Sequence, residues 1–203
     1  MRALAVFVLS SAAVQAPTVK GMFYDPGDLG PSPMTDSVTG LRSIHYAQRF
    51  LHCGIHYWLE TPDGTRLSVA KARTVRGPFT LHIRNNFGSG FLTVWDVSGE
   101  GRQLTPMDDR FSGGGRWSGY LMSDAVYRVP GTFEFSAPPA PHLVIVWARS
   151  QTEVSGSLRG AQERLMERPF ASETDDSTPG EIGTYVMNPG TGFVVSHIDF
   201  AVR

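Results

Sequence analysis

Two apolar segments within residues 79–97 limit most strongly how this chain can fold. In the first, Phe79, Leu81 and Ile83 alternate with polar residues, and a period of two is typical of a half-buried β-strand. The link that follows is rich in Asn, Gly and Ser, which tolerate a reversal of the chain. Residues 91–97 are apolar at nearly every position, as in a strand that is covered on both faces. The sequence therefore predicts two strands joined by a tight turn at the centre of an all-β core.

The remaining patterns favour the same fold class. Short apolar or alternating segments, separated by Gly and Pro, predict further strands; they lie at residues 55–59, 65–70, 102–105, 125–129, 132–136, 142–148, 183–188 and 193–202. The short apolar segment at residues 19–24 is a candidate for an added edge strand. One helix is predicted at residues 157–168, where Leu158, Ala161 and Leu165 form a narrow apolar stripe that ends before Pro169. About eight to ten strands and one short helix indicate an antiparallel, immunoglobulin-like β-sandwich.

Polar or glycine-rich segments are predicted to connect these elements. Residues 71–78 form a basic connection, and residues 171–180 form an acidic, mobile loop. A longer loop is predicted at residues 107–119, which contain three consecutive glycines and an aromatic residue. Of these three connections, the last is long enough to carry a function of its own.

The N-terminus has the pattern of a secretory signal peptide. Arg2 precedes an apolar stretch and then several small residues, and this succession is typical of an exported precursor. Residues 1–16 are therefore predicted to be the signal peptide, with a cut after Ala16 or after Ala13, and they are too few for a permanent transmembrane helix. Residues 17–203 are predicted to form a single β-sandwich domain with a loop-rich segment at 17–53. We expect a periplasmic or extracellular protein with no membrane span after cleavage.

Composition limits the classes of function. The formal net charge is −1, and charges of both signs are scattered along the chain. No basic stripe is present to neutralise a row of phosphates, which argues against nucleic-acid binding. Cys53 is the only cysteine, so no internal disulfide is possible, and we expect a buried, inert thiol.

His52, Cys53 and His56 are weak candidates for a metal site. Imidazole and thiolate groups suit zinc or copper. In an extended strand, however, the two histidines would lie on one face about 13 Å apart, which is too far to share an ion. We therefore predict ordinary histidines at the entry to a strand, no metal site and no cofactor.

The loop at residues 107–119 and the residue that follows it are the candidate binding surface. Exposed aromatic side chains on a sandwich loop can stack on sugars or anchor a protein partner; alternatively, they cap one end of the sandwich. The acidic pair in this loop lacks the spacing of a calcium-binding loop. The candidate binding residues are Asp108, Asp109, Arg116, Trp117 and Tyr120.

No motif of a known catalytic class is present. The chain has neither the GxSxG pattern of a nucleophile elbow nor the GxxxxGK[ST] pattern of a phosphate-binding loop. A pair of carboxylates that cleaves a glycosidic bond is defined by its distance in space, so this possibility stays open. The sequence thus leans away from an enzyme.

Several motifs resemble those of a bacterial family known as domain of unknown function 4384. The similar segments are GFLTVWDV at residues 90–97, the Leu-Thr-Pro that follows at 104–106, PGTFEF at 130–135, and the strand that ends in Ala-Arg-Ser at 148–150. The resemblance implies an exported β-sandwich and supplies no catalytic residues. The 107–119 loop is longer than in the family pattern, so anything particular to this chain is expected there.

Three hypotheses for the function follow. The first is a non-enzymatic, exported β-sandwich that binds a protein or glycan partner at the bacterial envelope through residues 107–120. The second is a hydrolase that acts on an envelope polymer. The third is a metal-binding protein that uses His52, Cys53 and His56.

Overall fold

The computed structural model describes residues 18–24, 53–75, 77–86, 88–104, 119–121, 125–150, 154, 157–167, 171–188 and 192–202. The elements in chain order are α1 (Val19–Tyr24), β1 (Cys53–Glu60), β2 (Arg66–Leu67), α2 (Val69–Val75), β3 (Thr80–Asn85), β4 (Gly90–Asp96), β5 (Arg102–Leu104), β6 (Tyr120–Leu121), β7 (Val126–Arg128), β8 (His142–Ala148), α3 (Leu158–Arg164), β9 (Ala171–Asp175), β10 (Gly183–Asn188) and β11 (Phe193–Asp199).

The strands form two antiparallel sheets. Sheet A has the order β7-β3-β1-β10-β9, with β2 paired to the end of β1, and sheet B has the order β11-β8-β4-β5, with β6 paired to β4. The predicted all-β sandwich is therefore confirmed. The central strands β1 and β8 are buried along nearly their whole length, because α1 packs on the outer face of sheet A and Leu165, at the end of α3, packs on the outer face of β8.

The main core lies between the sheets. Alternate residues of each strand point inward, and the inward set includes Ile55, Tyr57 and Leu59 on β1 and Leu143, Ile145 and Trp147 on β8. The residues between them point to the outer faces. On sheet A this outer face carries several aromatic side chains, and it forms the candidate site described below.

The two strands predicted within residues 79–97 exist, but they do not pair with each other. β3 pairs with β1 and β7 in sheet A, whereas β4 pairs with β5, β6 and β8 in sheet B. The chain crosses between the sheets after Asn86, whose backbone N donates to Gly54 O and whose Oδ1 accepts from Gly54 N, both at 3.0 Å. Both β3 and β4 carry apolar residues on their inward sides. Placing the two strands in opposite sheets buries both sets of residues in the core.

Two helices replace elements that were predicted otherwise. Residues 19–24 form α1 and not an edge strand, because Met22 and Phe23 reach sheet A together from one side of a helical turn. The predicted strand at 65–70 is limited to β2, and the basic connection after it is helical. Ser68 caps the N-terminus of this helix, α2, since its Oγ accepts a hydrogen bond from Lys71 N at 3.2 Å.

Two other segments also differ from the predictions. The acidic segment 171–180 was predicted to be mobile, but its first half is β9, the edge strand beside β10. The predicted strand at 132–136 makes only isolated bridges, Phe133 with Phe79 and Ser136 with Ala201. The helix predicted at 157–168 is confirmed as α3, although it is shorter, and the Ser157 hydroxyl caps it by accepting from Gly160 N at 3.2 Å.

Candidate functional site

Of the five predicted binding residues, only Tyr120 belongs to the described part of the chain. Asp108, Asp109, Arg116 and Trp117 lie outside it. Tyr120 begins β6 opposite Phe91 of β4, on the outer face of sheet B. The two rings are 5.4 Å apart at 70°, and Tyr120 is 46% exposed. This pair therefore presents a half-exposed aromatic edge directly after the predicted binding loop.

The metal candidates are separated by the strand that carries them. Cys53 points into the core between the sheets, whereas His56 points to the outer face of sheet A. Both side chains are buried, and their opposite directions prevent them from binding one ion. His52 lies outside the described residues, and within those residues no group of three or more His, Cys, Asp or Glu side chains could hold a metal ion.

Four rings lie side by side across the outer face of sheet A, and we call them the ring row: Tyr185, His56, Trp58 and His82. The centroids of Tyr185 and His56 are 4.1 Å apart with the planes at 2°. Those of His56 and Trp58 are 5.0 Å apart, and those of Trp58 and His82 are 5.4 Å apart. Strand register produces the row, because β10 places Tyr185 opposite His56 and β3 places His82 opposite Trp58.

Helix α1 covers the Tyr185 end of the ring row. Met22 and Phe23 are buried in a small cluster with Tyr185 and Met187 of β10. The ring of Phe23 meets Tyr185 at 5.3 Å and His56 at 6.1 Å, in both cases edge to face. The helix is thus held on the sheet mainly by apolar and aromatic contacts.

An ion pair fixes the other side of α1. The Nζ of Lys20 binds the carboxylates of Asp175 and Glu181, and its backbone N donates to Glu173 Oε2 at 3.0 Å. The hydrogen bond to Asp175 is the main cause that raises the pKa of Lys20 to about 12. The same bond holds the pKa of Asp175 well below its usual range. Asp175 is therefore ionised at neutral pH, and this carboxylate cannot serve as a general acid.

His56 is the most unusual group of the ring row. It is 1% exposed, and neither of its ring nitrogens has a hydrogen-bond partner with acceptable geometry among the described residues. Burial lowers its pKa from 6.5 to about 4; the backbone of Ile182 opposes this shift, and the cations Arg84, Arg66 and Lys20 add to it. His56 is therefore a neutral ring at neutral pH.

Trp58 is held between a cation and an imidazole. The guanidinium of Arg66 lies 4.4 Å from the centre of the Trp58 ring system, and Arg66 Nη1 donates to Gly180 O at 2.8 Å. Trp58 Nε1 is buried without a hydrogen-bond partner in the described structure. The ring row thus contains two neighbouring side chains with unsatisfied nitrogen atoms, which is an uncommon arrangement in a buried region.

Sequence reasoning missed the ring row, although part of its signal was visible. The alternation in β1 placed His56 and Trp58 on one face, and the structure shows that this is the outer face of sheet A. Nothing in the local pattern connected them with Tyr185 or Lys20, since those residues come from distant segments of the chain.

Comparisons of the chain with protein-family models, with curated proteins and with solved structures gave no match. The resemblance to domain of unknown function 4384 therefore stays a prediction. Within the described residues, no helix has the length and apolar character needed to cross a membrane.

Proposed function

We propose that this protein is a non-enzymatic binding module of the bacterial envelope, exported by its N-terminal segment, whose contact surface includes Tyr120. The observation that carries the proposal is the exposed aromatic edge of Tyr120 and Phe91 on sheet B. Tyrosine is enriched at protein interfaces, where a large ring can be buried at a low cost in side-chain entropy. The two rings stand at 70° to each other, so they do not form a coplanar platform for a sugar. We therefore favour a protein partner over a glycan.

Tyr120 is the best candidate for an interface residue among the exposed apolar side chains. The large apolar side chains that are exposed in the described structure are Val75, Tyr120, Val126 and Met166. Tyr120 is the aromatic member of this set. It also adjoins the predicted binding loop, so the two could form one continuous surface.

The described residues do not favour the two alternative functions. A glycoside hydrolase uses one carboxyl group as general acid and a second as general base or nucleophile. Asp175 is bound to Lys20 and its pKa is strongly lowered, so it is not suited to the role of the acid. A site that uses Cys53 and His56 together would need both side chains on one face of β1, and they lie on opposite faces.

A binding experiment with matched variants tests the proposal. The purified protein is immobilised and exposed to native envelope extract, and the bound material is divided into protein and glycan fractions. Tyr120→Ala should lose the bound protein by about tenfold or more, as expected for an interface anchor. Val126→Ala is the matched control, since Val126 is 50% exposed on β7 of the other sheet, and it should bind as the wild type does.

Each outcome decides a specific part of the proposal. Equal binding by the wild type and Tyr120→Ala, with both variants folded by circular dichroism, would show that Tyr120 is no part of the contact surface. Capture of glycan alone would overturn the choice of a protein partner. Turnover of the captured polymer by the wild type would contradict a non-enzymatic function.

A further inference from the structure

We propose that α1 is a pH-sensitive cover of the ring row: protonation of His56 releases α1 from sheet A and exposes the aromatic side chains beneath it. The geometry points to this device because the imidazole is buried at the interface between helix and sheet, with three cations and no carboxylate acting on it among the described residues.

Helix α1 depends on the sheet for its stability. It has six residues, and an isolated helix of this length is not stable in water. Its buried side chains are Met22 and Phe23. Its described polar contacts come from Lys20, which reaches β9 and the turn after it, and from the Tyr24 hydroxyl, which lies 3.1 Å from that of Tyr185. The docked state of α1 therefore rests on a small set of contacts with sheet A and with the turn after β9.

His56 lies where α1 meets the sheet. The ring of Phe23 approaches its edge, and the ring of Tyr185 covers its face at 4.1 Å. As a neutral ring, His56 leaves two nitrogens without hydrogen bonds, which costs moderate free energy. As a charged ring it would be a buried cation with no neighbouring carboxylate among the described residues, and such a charge costs far more.

The charges around His56 make protonation in the docked state still less favourable. Three cations act on it from three elements, and each lowers its pKa: Lys20 of α1, Arg66 of β2 and Arg84 of β3. The carboxylates next to α1 are engaged elsewhere, because Asp175 and Glu181 bind Lys20 Nζ and Glu173 accepts from Lys20 N. The other titratable groups on the packed elements are Tyr24 of α1, Glu60 of β1, His82 of β3 and Tyr185 of β10.

The helix gives way before the sheet does. β1 is bound along its length to β3 on one side and to β10 on the other, whereas α1 has no strand ladder to hold it. Moving α1 away lets water reach His56, so the released state binds a proton that the docked state rejects. If the released imidazole regains its ordinary pKa of 6.5, against about 4 when docked, docking weakens by about 150-fold at about pH 4 and by up to about 300-fold at lower pH.

A spin label on α1 measures the release directly. Gly21 is exposed in α1, and a Cβ there would meet only the Thr18 hydroxyl, so Gly21→Cys provides an attachment point; the native Cys53 is fully buried and protected from labelling. The label should be immobile at about pH 7.5. Its mobile fraction should rise as the pH falls through the range from about 6.5 to about 4, while the β-sheet circular dichroism stays unchanged.

Two variants assign the release to His56. In the labelled background, His56→Phe keeps an aromatic ring beside Tyr185 but cannot be protonated, so the label should stay immobile over the same pH range. His56→Gln is the second non-titrating variant, and it carries the test if His56→Phe fails to fold. His82→Gln is the matched control, because His82 belongs to the same ring row but lies on β3 beyond Trp58; its label should be released as in the wild type.

Three results would overturn the proposal. A label that stays immobile to about pH 4 in the wild type would show that α1 does not respond to acid in this range. Release at the same pH in the non-titrating variants would assign the effect to the carboxylates that bind Lys20. Loss of the β-sheet signal together with the release would mean that the whole domain unfolds and that α1 is not an independent cover.

Discussion

The rings of His56 and Tyr185 lie 4.1 Å apart with their planes at 2°, although one residue belongs to β1 and the other to β10. The hydroxyl of Tyr185 extends beyond this stack, donates to Glu181 O at 3.0 Å and lies 3.1 Å from the hydroxyl of Tyr24. The stack and these hydrogen bonds together connect sheet A to α1. Four predictions follow from this interface and from the core beneath it.

The first prediction concerns alkaline pH. Burial raises the pKa of Tyr57 and of Tyr185 above the ordinary value of 10. Above about pH 10 the two tyrosines lose their protons in the unfolded chain but stay neutral in the folded protein. The free energy of unfolding is therefore constant with respect to these groups below about pH 10 and falls as the pH rises further. We expect the urea midpoint to fall between about pH 9 and about pH 11, and a Tyr57→Phe, Tyr185→Phe double variant should show a smaller fall. Phenolate absorbance from both tyrosines in the folded protein near pH 10 would contradict this.

The second prediction compares two glycines that have positive φ angles. A Cβ on Gly183 would collide with Nε2 of His56 and would lie 2.6 Å from Tyr57 O, whereas a Cβ on Gly180 would meet nothing within 4 Å. Gly180→Ala should cost about 1 kcal/mol from backbone strain alone. Gly183→Ala should cost about 2–4 kcal/mol, because overpacking adds to the strain. Urea unfolding measures both, and equal costs would show that Gly183 does not support the ring row by close contact.

The third prediction concerns a buried hydrogen bond between the side chains of the two sheets. Tyr57 Oη of β1 and Ser196 Oγ of β11 are 3.0 Å apart and buried. Each of Tyr57→Phe and Ser196→Ala should destabilise the protein by about 1–2 kcal/mol, because it leaves a buried hydroxyl without this partner. The double variant should cost less than the sum, and a double-mutant cycle measures the coupling. Strict additivity would mean that the two hydroxyls do not interact.

The fourth prediction concerns the ion pair that anchors α1. Lys20→Met removes the cation that binds Asp175 and Glu181 and should lower stability by about 1 kcal/mol, since these side chains are partly exposed to screening solvent. The difference from the wild type should shrink in high salt. Lys71→Met is the control, because the Lys71 ammonium donates to the Asp176 backbone carbonyl and to no described carboxylate. A salt-independent cost would point to lost packing of the Lys20 chain instead.

The local pattern of the sequence determined much of the fold. Alternation in β1 and β3, the continuous apolar run of β8 and the stripe of α3 each predicted an element that the structure contains. These signals are readable because side chains alternate in a strand and recur every three or four residues in a helix, whatever the partner. The composition and the many turn residues were enough to predict an all-β sandwich.

Tertiary structure alone decided how these elements combine. The strands on either side of Asn86 were expected to pair, but they join different sheets, since pairing depends on partners that come from elsewhere in the chain. Residues 19–24 are helical because the helical turn lets Phe23 pack on sheet A against Tyr185 and His56. The ring row and the ion pair of Lys20 likewise join residues from distant segments of the chain. A single strand specifies which face a side chain occupies, whereas long-range register and the docking of a distant segment decide what that side chain touches.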